Sequence, residues 1–302
     1  MIMERNQIEA FVTIAEVKKF SRAAEILHLS QPAISRRIQL LEQTLDANLF
    51  DRTKKGVRLT QAGEQFLPYA QQIMAAIRDG IEAVQATQRE SKGIVKLAIV
   101  GTLASTSLTE QIKRFRQVHP DVQLLLQTAR SKNVSRLVQN GDVHLGLRYF
   151  ADPQPDLDAE LIFEEELVLV SSAQRQFSTV PQTVTDLKGI PWVSYPIGTG
   201  SSGEPFARLL NQILMSNALD EPEIITIDSL TAQKRLIEAD FGIGLLPRSS
   251  ILEELQLESV RLLNVPLLKA TAPVMMLSRK DGYFSLATKS LMDALRNQEM
   301  TI

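Results

Sequence analysis

A short helix followed within three residues by a second helix start constrains the first sixty residues more than any other feature. The small residues Ala23-Ala24 give the first helix a face that another helix can approach closely, and Ser21 is expected to cap it. Residues 28–30 form a three-residue turn. Pro32 suits the first turn of the next helix because its missing N–H group would be unpaired there in any case. The spacing predicts a helix-turn-helix.

Apolar residues at helical spacing flank this motif. They are Ile8, Phe11, Val12 and Ala15 in a preceding helix, and Ile34, Ile38, Leu41 and Leu45 in the second helix of the motif. Residues 50–59 then alternate in the manner of a β-hairpin, with Lys54 and Lys55 at its tip and Gly56 supplying the turn. A basic hairpin beside the second helix is a wing that suits a phosphate backbone.

The charge distribution permits nucleic-acid binding at this end of the chain. Residues 1–59 contain ten Lys and Arg against seven Asp and Glu, whereas the remainder carries 23 basic and 28 acidic residues. Chance variation is the alternative explanation, and a small helical subdomain with a solvated basic loop is the alternative structure. The candidate DNA-contacting residues are Ser21, Arg22, Ser30, Gln31, Pro32, Ser35, Arg36, Arg37, Arg52, Lys54 and Lys55.

Many residues of this region stand at the spacing found in one family of DNA-binding proteins. They include Phe11, Ser21, Ala23, Ala24, Leu27, Ser30 to Ser35, Ile38, Leu41, Glu42, Leu49, Phe50, Arg52, Leu59, Thr60, Ala62 and Gly63. This constellation, from about residue 5 to 66, resembles the N-terminal signature of LysR-type transcriptional regulators. The resemblance implies a winged helix-turn-helix that binds a double-stranded DNA operator with dyad symmetry. It also implies homodimers that assemble into a homotetramer, with RNA polymerase as a further candidate partner.

A long helix is predicted to follow the hairpin, from a cap at Thr60 to about Gln88. It carries a near-heptad apolar stripe of Phe66, Ala70, Ile73, Ile77, Ile81 and Val84. Pro68 lies inside the stripe and predicts a kink near the second turn. The stripe needs a partner surface, which is either the core of the same subunit or, as the resemblance implies, the equivalent helix of a second subunit. Polar residues 85–93 are expected to form a hinge.

From Ile94 onward the pattern changes to alternating strands and helices. The predicted strands lie at 94–100, 122–127, 143–147, 166–171, 192–194, 224–227, 243–246 and 274–277. Alternation of this kind predicts a parallel sheet with helices on both faces.

The resemblance continues more loosely through this α/β region. Segments 115–122, 141–147, 165–170 and 242–247 are similar to landmarks of the LysR-type effector domain, which itself resembles periplasmic solute-binding proteins. The implied organisation is a DNA-binding domain over 1–59, a linker helix and hinge over 60–92, and an effector domain over 93–302. That domain is expected to contain two Rossmann-like lobes, one formed by 93–162 with 267–302 and the other by 163–266, with the effector between them.

Hydroxyls and one arginine at the predicted strand ends are candidate ligand contacts. Open α/β sheets bind ligands at the carboxyl ends of their strands, where helix N-termini favour anions and arginine can clamp a carboxylate. The candidates are Thr102, Ser105, Thr128, Ser131, Arg148, Tyr195, Thr199, Ser201 and Ser229. Alternatively, Thr102, Ser131 and Ser229 only cap helices, Arg148 forms a structural ion pair, and the Gly/Ser-rich loop 195–203 is merely flexible. We expect a small anionic effector, such as a carboxylate.

Catalytic signatures are missing from the sequence. There is no cysteine, and His28, His119 and His144 are scattered without metal-ligand spacing. Neither a Walker loop nor a Gly-x-Ser-x-Gly elbow occurs. The adjacent carboxylates Glu164 to Glu166 are better explained as a solvated edge than as an acid/base pair. We therefore expect no enzyme, no metal and no cofactor.

The alternative function is a cytosolic solute-sensing or carrier protein whose N-terminal unit contacts another protein instead of DNA. No apolar stretch approaches the roughly 20 residues that cross a bilayer, and residues 1–9 lack the apolar core of a signal peptide. We therefore expect a cytoplasmic protein without membrane contact.

Overall fold

The helix-turn-helix predicted from the sequence is present in the structure, which is a computed structural model. The structure describes residues 3–53, 56–88, 93–105, 108–196, 205–216 and 222–297, without the side chains of 52–53, 86–88, 105 and 205. The chain divides into two compact units. The first comprises 1–90 with 139–142 and 281–285, and the second comprises the remainder.

The described part of the first unit contains four helices and a hairpin. Its elements are α1 (Arg5–Val17), α2 (Phe20–Ile26), α3 (Gln31–Leu45), β1 (Phe50–Thr53), β2 (Gly56–Leu59) and α4 (Gln61–Gln88). Its core contains Ile8, Phe11, Ile14, Ala23, Ala24, Ile34, Ile38, Leu41, Leu49 and Ala70. Because Ala23 and Ala24 carry only a methyl group, α2 packs closely against its neighbours, as the sequence predicts.

The two helix starts of the motif differ from each other in their capping. Ser30 caps α3, since its Oγ accepts a hydrogen bond from the Ala33 N–H at 3.3 Å, and Pro32 occupies the second position of the helix. The predicted cap at Ser21 is wrong. Helix α2 begins at Phe20, with Lys19 preceding it and no side-chain cap. The Phe20 ring packs edge-on against Phe50, with 5.9 Å between the ring centroids. Because this contact holds Phe20 at the start of α2, Ser21 lies inside the first turn and does not precede it.

The hairpin and α4 are joined by side-chain hydrogen bonds. Strand β1 pairs antiparallel with β2, so that Phe50 faces Leu59. The Glu42 carboxylate accepts from the Leu49 N–H at 2.7 Å, which fixes the entry to the hairpin. Thr60 caps α4 as predicted, because its Oγ1 accepts from the Gly63 N–H at 3.0 Å. The predicted tip residues Lys54 and Lys55 lie outside the described residues.

The apolar stripe of α4 divides into two parts. Phe66, Ala70 and Ile73 pack against the core of the first unit, as the intrasubunit alternative predicts. Ile81 and Val84 are 48% and 60% exposed, so the second half of the stripe is left on the surface. Dimerisation through this half stays a prediction, and residues 89–92 of the predicted hinge lie outside the described residues. Among the described helices, none is both long and apolar enough to cross a membrane.

The second unit is an α/β structure. Its strands are β3 (Ile94–Ile99), β4 (Gln123–Thr128), β5 (Leu145–Tyr149), β6 (Leu157–Ser172), β7 (Trp192–Ser194), β8 (Ile224–Thr226), β9 (Gly244–Pro247), β10 (Val260–Leu263) and β11 (Ala270–Arg279). Its helices are α5 (Leu108–Val118), α6 (Ser131–Gln139), α7 (Pro205–Ser216), α8 (Leu230–Glu238), α9 (Leu252–Gln256) and α10 (Leu286–Arg296), and short 3-10 turns follow β3 and β9.

The main sheet of the second unit contains both parallel and antiparallel strands, whereas the sequence predicted a parallel sheet. The main sheet has the order β10-β6-β11-β5-β3-β4, with β9 also on β6, and only the β3 pairings with β4 and β5 are parallel. The long strands β6 and β11 run antiparallel to each other. A separate two-stranded sheet pairs β7 with β8 in parallel. The alternating pattern therefore predicts the α/β class correctly and misses the antiparallel strands.

Two glycines of α4 provide a matched test of the packing in the first unit. A Cβ at Gly63 would lie 2.2 Å from the backbone oxygen of Leu49, whereas a Cβ at Gly80 would have nothing within 4 Å. Gly63→Ala should therefore destabilise the first unit by about 1–3 kcal/mol, since the hairpin entry has to move. Gly80→Ala should stabilise it by about 0.5–1 kcal/mol, because alanine is the better helix former.

Thermal unfolding of the full chain, followed for the transition of the first unit, measures both changes. If Gly63→Ala stabilised the first unit as Gly80→Ala is expected to do, the close contact at Gly63 would be contradicted.

Candidate functional site

The exposed start of α3 is the first candidate site. Gln31, Pro32 and Arg36 are exposed, Ser35 is half-buried, and Ile34 on the opposite side of the helix is completely buried. Arg36 makes no ion pair with the described part of the chain. The buried side anchors the helix while the polar side is presented to solvent. An amide and a guanidinium on an exposed helix start can hydrogen-bond base edges and phosphates in a major groove.

The other DNA-binding candidates lie around α3 in more constrained positions. Arg22 donates to Glu25 at 2.7 Å, and both side chains are about two-thirds exposed. Arg37 is half-buried and donates to the backbone oxygen of Asn6 at 3.5 Å. Ser30 is exposed but serves as the helix cap, and Ser21 is half-buried within α2. The side chain of Arg52 is not among those the structure describes.

A cavity of about 480 Å³ within the second unit is the second candidate site. Its lining residues are Val100, Gly101, Thr102, Thr128, Ala129, Arg130, Ser131, Tyr149, Tyr195, Phe206, Asp228, Ser229, Leu230, Thr231 and Lys234. They come from the carboxyl ends of β3, β4 and β5 and from the first turns of α6 and α8. Both helices begin at the cavity wall, and the first N–H groups of a helix have no partner within it.

Two buried hydroxyls in the cavity wall have no hydrogen-bond partner of good geometry among the described residues. Thr102 and Tyr149 are 7% and 1% exposed, and neither Thr102 Oγ1 nor the Tyr149 hydroxyl completes a hydrogen bond of good geometry within the structure. Burial raises the pKa of Tyr149, and the Thr102 hydroxyl offsets part of this shift. The phenol therefore stays protonated and can both donate and accept. Buried polar groups in native proteins are normally satisfied, so this pair indicates a place for a ligand or ordered water.

The charged residues of the cavity are paired. Arg130 Nη2 lies 2.5 Å from Asp228 Oδ2, and both side chains are at least 60% exposed at the cavity rim. Lys234 Nζ lies 2.6 Å from Glu254 Oε1 and 2.9 Å from the backbone oxygen of Ser250. The Lys234 ammonium is therefore engaged away from the cavity, and Arg130 and Asp228 are its two accessible charges among the described residues.

Aromatic rings form one side of the cavity. The rings of Tyr149 and Phe206 meet edge-on with centroids 4.5 Å apart, and Tyr195 stacks on Phe206 at 6.5 Å. This arrangement provides a flat apolar surface next to the two unpaired hydroxyls.

The structure brings together most of the predicted effector residues that it describes. Thr102, Thr128, Ser131, Tyr195 and Ser229 all line the cavity. Ser229 also caps α8, because its Oγ accepts from the Ala232 N–H at 3.4 Å, so the capping alternative holds for it as well. The side chain of Ser105 is not described, and Thr199 and Ser201 lie outside the described residues.

The prediction that Arg148 contacts the effector is not supported, because Arg148 is not among the residues that line the cavity. Its guanidinium is buried and donates to Ser135 Oγ at 2.7 Å and to the carboxylate of Asp152, which is the structural ion pair weighed as the alternative. Strand β5 runs to Tyr149, two residues beyond its predicted end. Successive strand residues face opposite sides, so Tyr149 reaches the cavity and Arg148 does not.

Tyr149, Phe206 and Lys234 also line the cavity but were not predicted from the sequence. Tyr149 could have been predicted if the end of β5 had been placed correctly, because side chains alternate between the two faces of a strand. Phe206 and Lys234 depend on how α7 and α8 pack against the first strands, and no local pattern reports that.

No group of three or more His, Asp or Glu within the described ranges is placed to hold a metal ion. The described lining of the cavity consists of hydroxyls, one exposed ion pair and aromatic rings, a surface that is suited to a small molecule.

Comparison with known proteins assigns both units to one family. Residues 5–64 match the family model for the bacterial regulatory helix-turn-helix protein of the lysR family, and residues 88–299 match the LysR substrate binding domain.

Individual relatives agree with this assignment. The HTH-type transcriptional regulator TfdS of Cupriavidus pinatubonensis is 31% identical over 250 residues, which cover 82% of this chain and 83% of TfdS. Full-length OxyR from Pseudomonas aeruginosa has the same fold, with a TM-score of 0.70 at 19% identity over 99% of this chain and 96% of OxyR. Vibrio fischeri DarR, solved in complex with DNA, has a TM-score of 0.53 at 26% identity over 99% of this chain and all of DarR. The chain therefore belongs to the LysR family of DNA-binding transcriptional regulators, which are not enzymes, and carries the substrate-binding domain of that family.

Proposed function

We propose that this regulator recognises a DNA operator with dyad symmetry and that a small anionic effector, a carboxylate, modulates its output from the cavity of the second unit. The observation that carries the effector proposal is the pair of buried, unpaired hydroxyls of Thr102 and Tyr149 in a cavity of about 480 Å³. A volume of this size is typical of a small-molecule site.

The preference for an anion follows from the elements that meet at the cavity. The first turns of α6 and α8 carry partial positive charge, and Arg130, although it is paired with Asp228, is the accessible cation at the rim. A carboxylate in the cavity accepts hydrogen bonds from the first backbone N–H groups of α6 and α8, which have no acceptor within their own helices. Its non-polar part then rests against Phe206.

For DNA, we assign base contacts to Gln31, Ser35 and Arg36 and phosphate contacts to Arg52, Lys54 and Lys55. The exposure of Gln31 and Arg36 supports the first group. Two copies of the motif are needed to read two half-sites, and the exposed Ile81 and Val84 of α4 support pairing through that helix. We extend this pairing to a homotetramer of two dimers, located in the cytoplasm and in contact with RNA polymerase at the promoter.

The effector acts by binding one arrangement of the assembly better than another. A ligand that bound every arrangement equally would shift nothing. The ends of β3, β4 and β5 and the start of α8 line the same cavity, so a ligand that bridges them changes their spacing. That change alters how the two recognition helices are presented to the half-sites.

The role of Gln31 is tested by its effect on specificity. Gln31→Ala should reduce discrimination between operator and random duplex by about 1–3 kcal/mol, because one bidentate base contact is lost. Lys54→Ala should weaken both duplexes alike. Fluorescence anisotropy at two salt concentrations measures these affinities. Gln43→Ala, at an exposed position near the other end of α3, is the matched control. Equal losses on operator and random DNA for Gln31→Ala would contradict the base contact.

The role of the cavity hydroxyls is tested by stability and affinity together. Thr102→Val should leave the ligand-free protein as stable or stabilise it by about 1 kcal/mol, because an unsatisfied buried hydroxyl is removed. The same variant should weaken binding of any carboxylate that isothermal titration detects in a panel of small carboxylates, inorganic anions and amino acids.

Thr288→Val is the control for Thr102→Val. Thr288 is equally buried, but its Oγ1 lies 3.4 Å from His144 Nδ1, so the same substitution there should cost about 0.5–1.5 kcal/mol. If Thr102→Val destabilises the protein as much as Thr288→Val does, the Thr102 hydroxyl has a structural partner and the ligand assignment fails.

A further inference from the structure

The accessible charges of the cavity come as one cation and one anion in contact. Arg130 precedes α6 and Asp228 precedes the cap of α8, and the two residues are 98 positions apart in the sequence. Their side chains meet at 2.5 Å across the cavity rim. Lys234 contributes no accessible charge because Glu254 neutralises it at 2.6 Å. The described wall of the cavity is therefore electrically balanced.

A simple carboxylate fits this balance poorly. It can pair with the N–H groups of Arg130 that Asp228 leaves free, but it then lies next to the Asp228 carboxylate, which has the same sign. A simple amine would have the converse difficulty with Arg130. A ligand that carries both charges gives Arg130 and Asp228 one new partner each, so neither is left facing a like charge.

We propose that the effector is a zwitterion of the α-amino acid class. Its carboxylate pairs with Arg130 at the start of α6, and its ammonium group pairs with Asp228. This inference rests on the proposed function of the cavity as the site of an effector carboxylate, and it adds an ammonium group to that effector, whose net charge is then zero.

The interior of the cavity defines the side chain of this ligand. With Arg130 and Asp228 at the rim, the side chain extends toward Thr102, Tyr149 and Phe206. The two hydroxyls require a hydrogen-bonding atom, and the Phe206 ring provides an apolar face. No unpaired charged group faces this part of the cavity among the described residues. The side chain is therefore uncharged, with a polar atom or an aromatic ring.

Isothermal titration of the full-length protein with the twenty standard L-amino acids tests the proposal. Each amino acid that binds is compared with the carboxylic acid that lacks its ammonium group and with the amine that lacks its carboxylate. For L-phenylalanine these are 3-phenylpropanoate and 2-phenylethylamine. At least one amino acid should bind about two- to fivefold more tightly than both comparators, since each ion pair at the exposed rim contributes at this level.

The outcomes separate this inference from the function on which it rests. If the acids without an ammonium group bind as tightly as the amino acids, the zwitterion is wrong and the anionic effector stands. If neither the amino acids nor the simple acids bind, both proposals fail.

Asp228→Asn locates the ammonium contact. It should weaken binding of the best amino acid about two- to fivefold and leave binding of the matched acid unchanged or tighter. Glu223→Gln, an exposed carboxylate on the same segment that does not line the cavity, is the control and should change neither affinity. Equal affinities of wild type and Asp228→Asn for the amino acid would overturn the assignment. If Asp228→Asn does not fold, the three-ligand comparison on the wild-type protein decides.

Discussion

The unpaired N–H groups at the starts of helices are the constraint on which both candidate sites depend. The first turn of every α-helix leaves backbone donors that the helix itself cannot satisfy. At α3 only one of them is capped, by Ser30, and the helix start is exposed. At α6 and α8 the helix starts line a cavity. The first unit therefore offers positive partial charge to DNA, and in the proposed function the second unit offers it to the carboxylate of a ligand.

The polar groups of the second unit differ in whether the protein itself satisfies them. Arg148 and Lys234 are held by Asp152 and Glu254 and stabilise the fold. The hydroxyls of Thr102 and Tyr149 are also buried but have no partner of good geometry among the described residues, which lowers the stability of the ligand-free protein and favours a ligand that hydrogen-bonds to them. The Arg130–Asp228 pair is intermediate, because it is exposed at the rim and weak enough to open. A ligand that exchanges this pair for its own contacts can bias the assembly toward one arrangement.

Local signals account for the parts of the structure that were predictable from the sequence. The small residues of α2, the Ser30 cap and the Thr60 cap lie within a few residues of the features that they determine. Predictions failed where distant packing decides the outcome. Phe20 shifts the start of α2 through its contact with Phe50, and the pairing of β5 with β11 extends β5 to Tyr149 and so turns Arg148 away from the cavity. The pair of Arg130 and Asp228 exists only once the strands before α6 and α8 are in place.

The crystal structure of the full-length protein with the tightest ligand from the titrations tests the central claim most directly. Difference density for the ligand is expected inside the cavity, with a carboxylate oxygen of the ligand within about 3.2 Å of a backbone N–H at the start of α6 or α8. A second polar atom of the ligand should reach Thr102 Oγ1 or the Tyr149 hydroxyl. Density for the ligand elsewhere on the protein, with the cavity holding only water, would contradict the account.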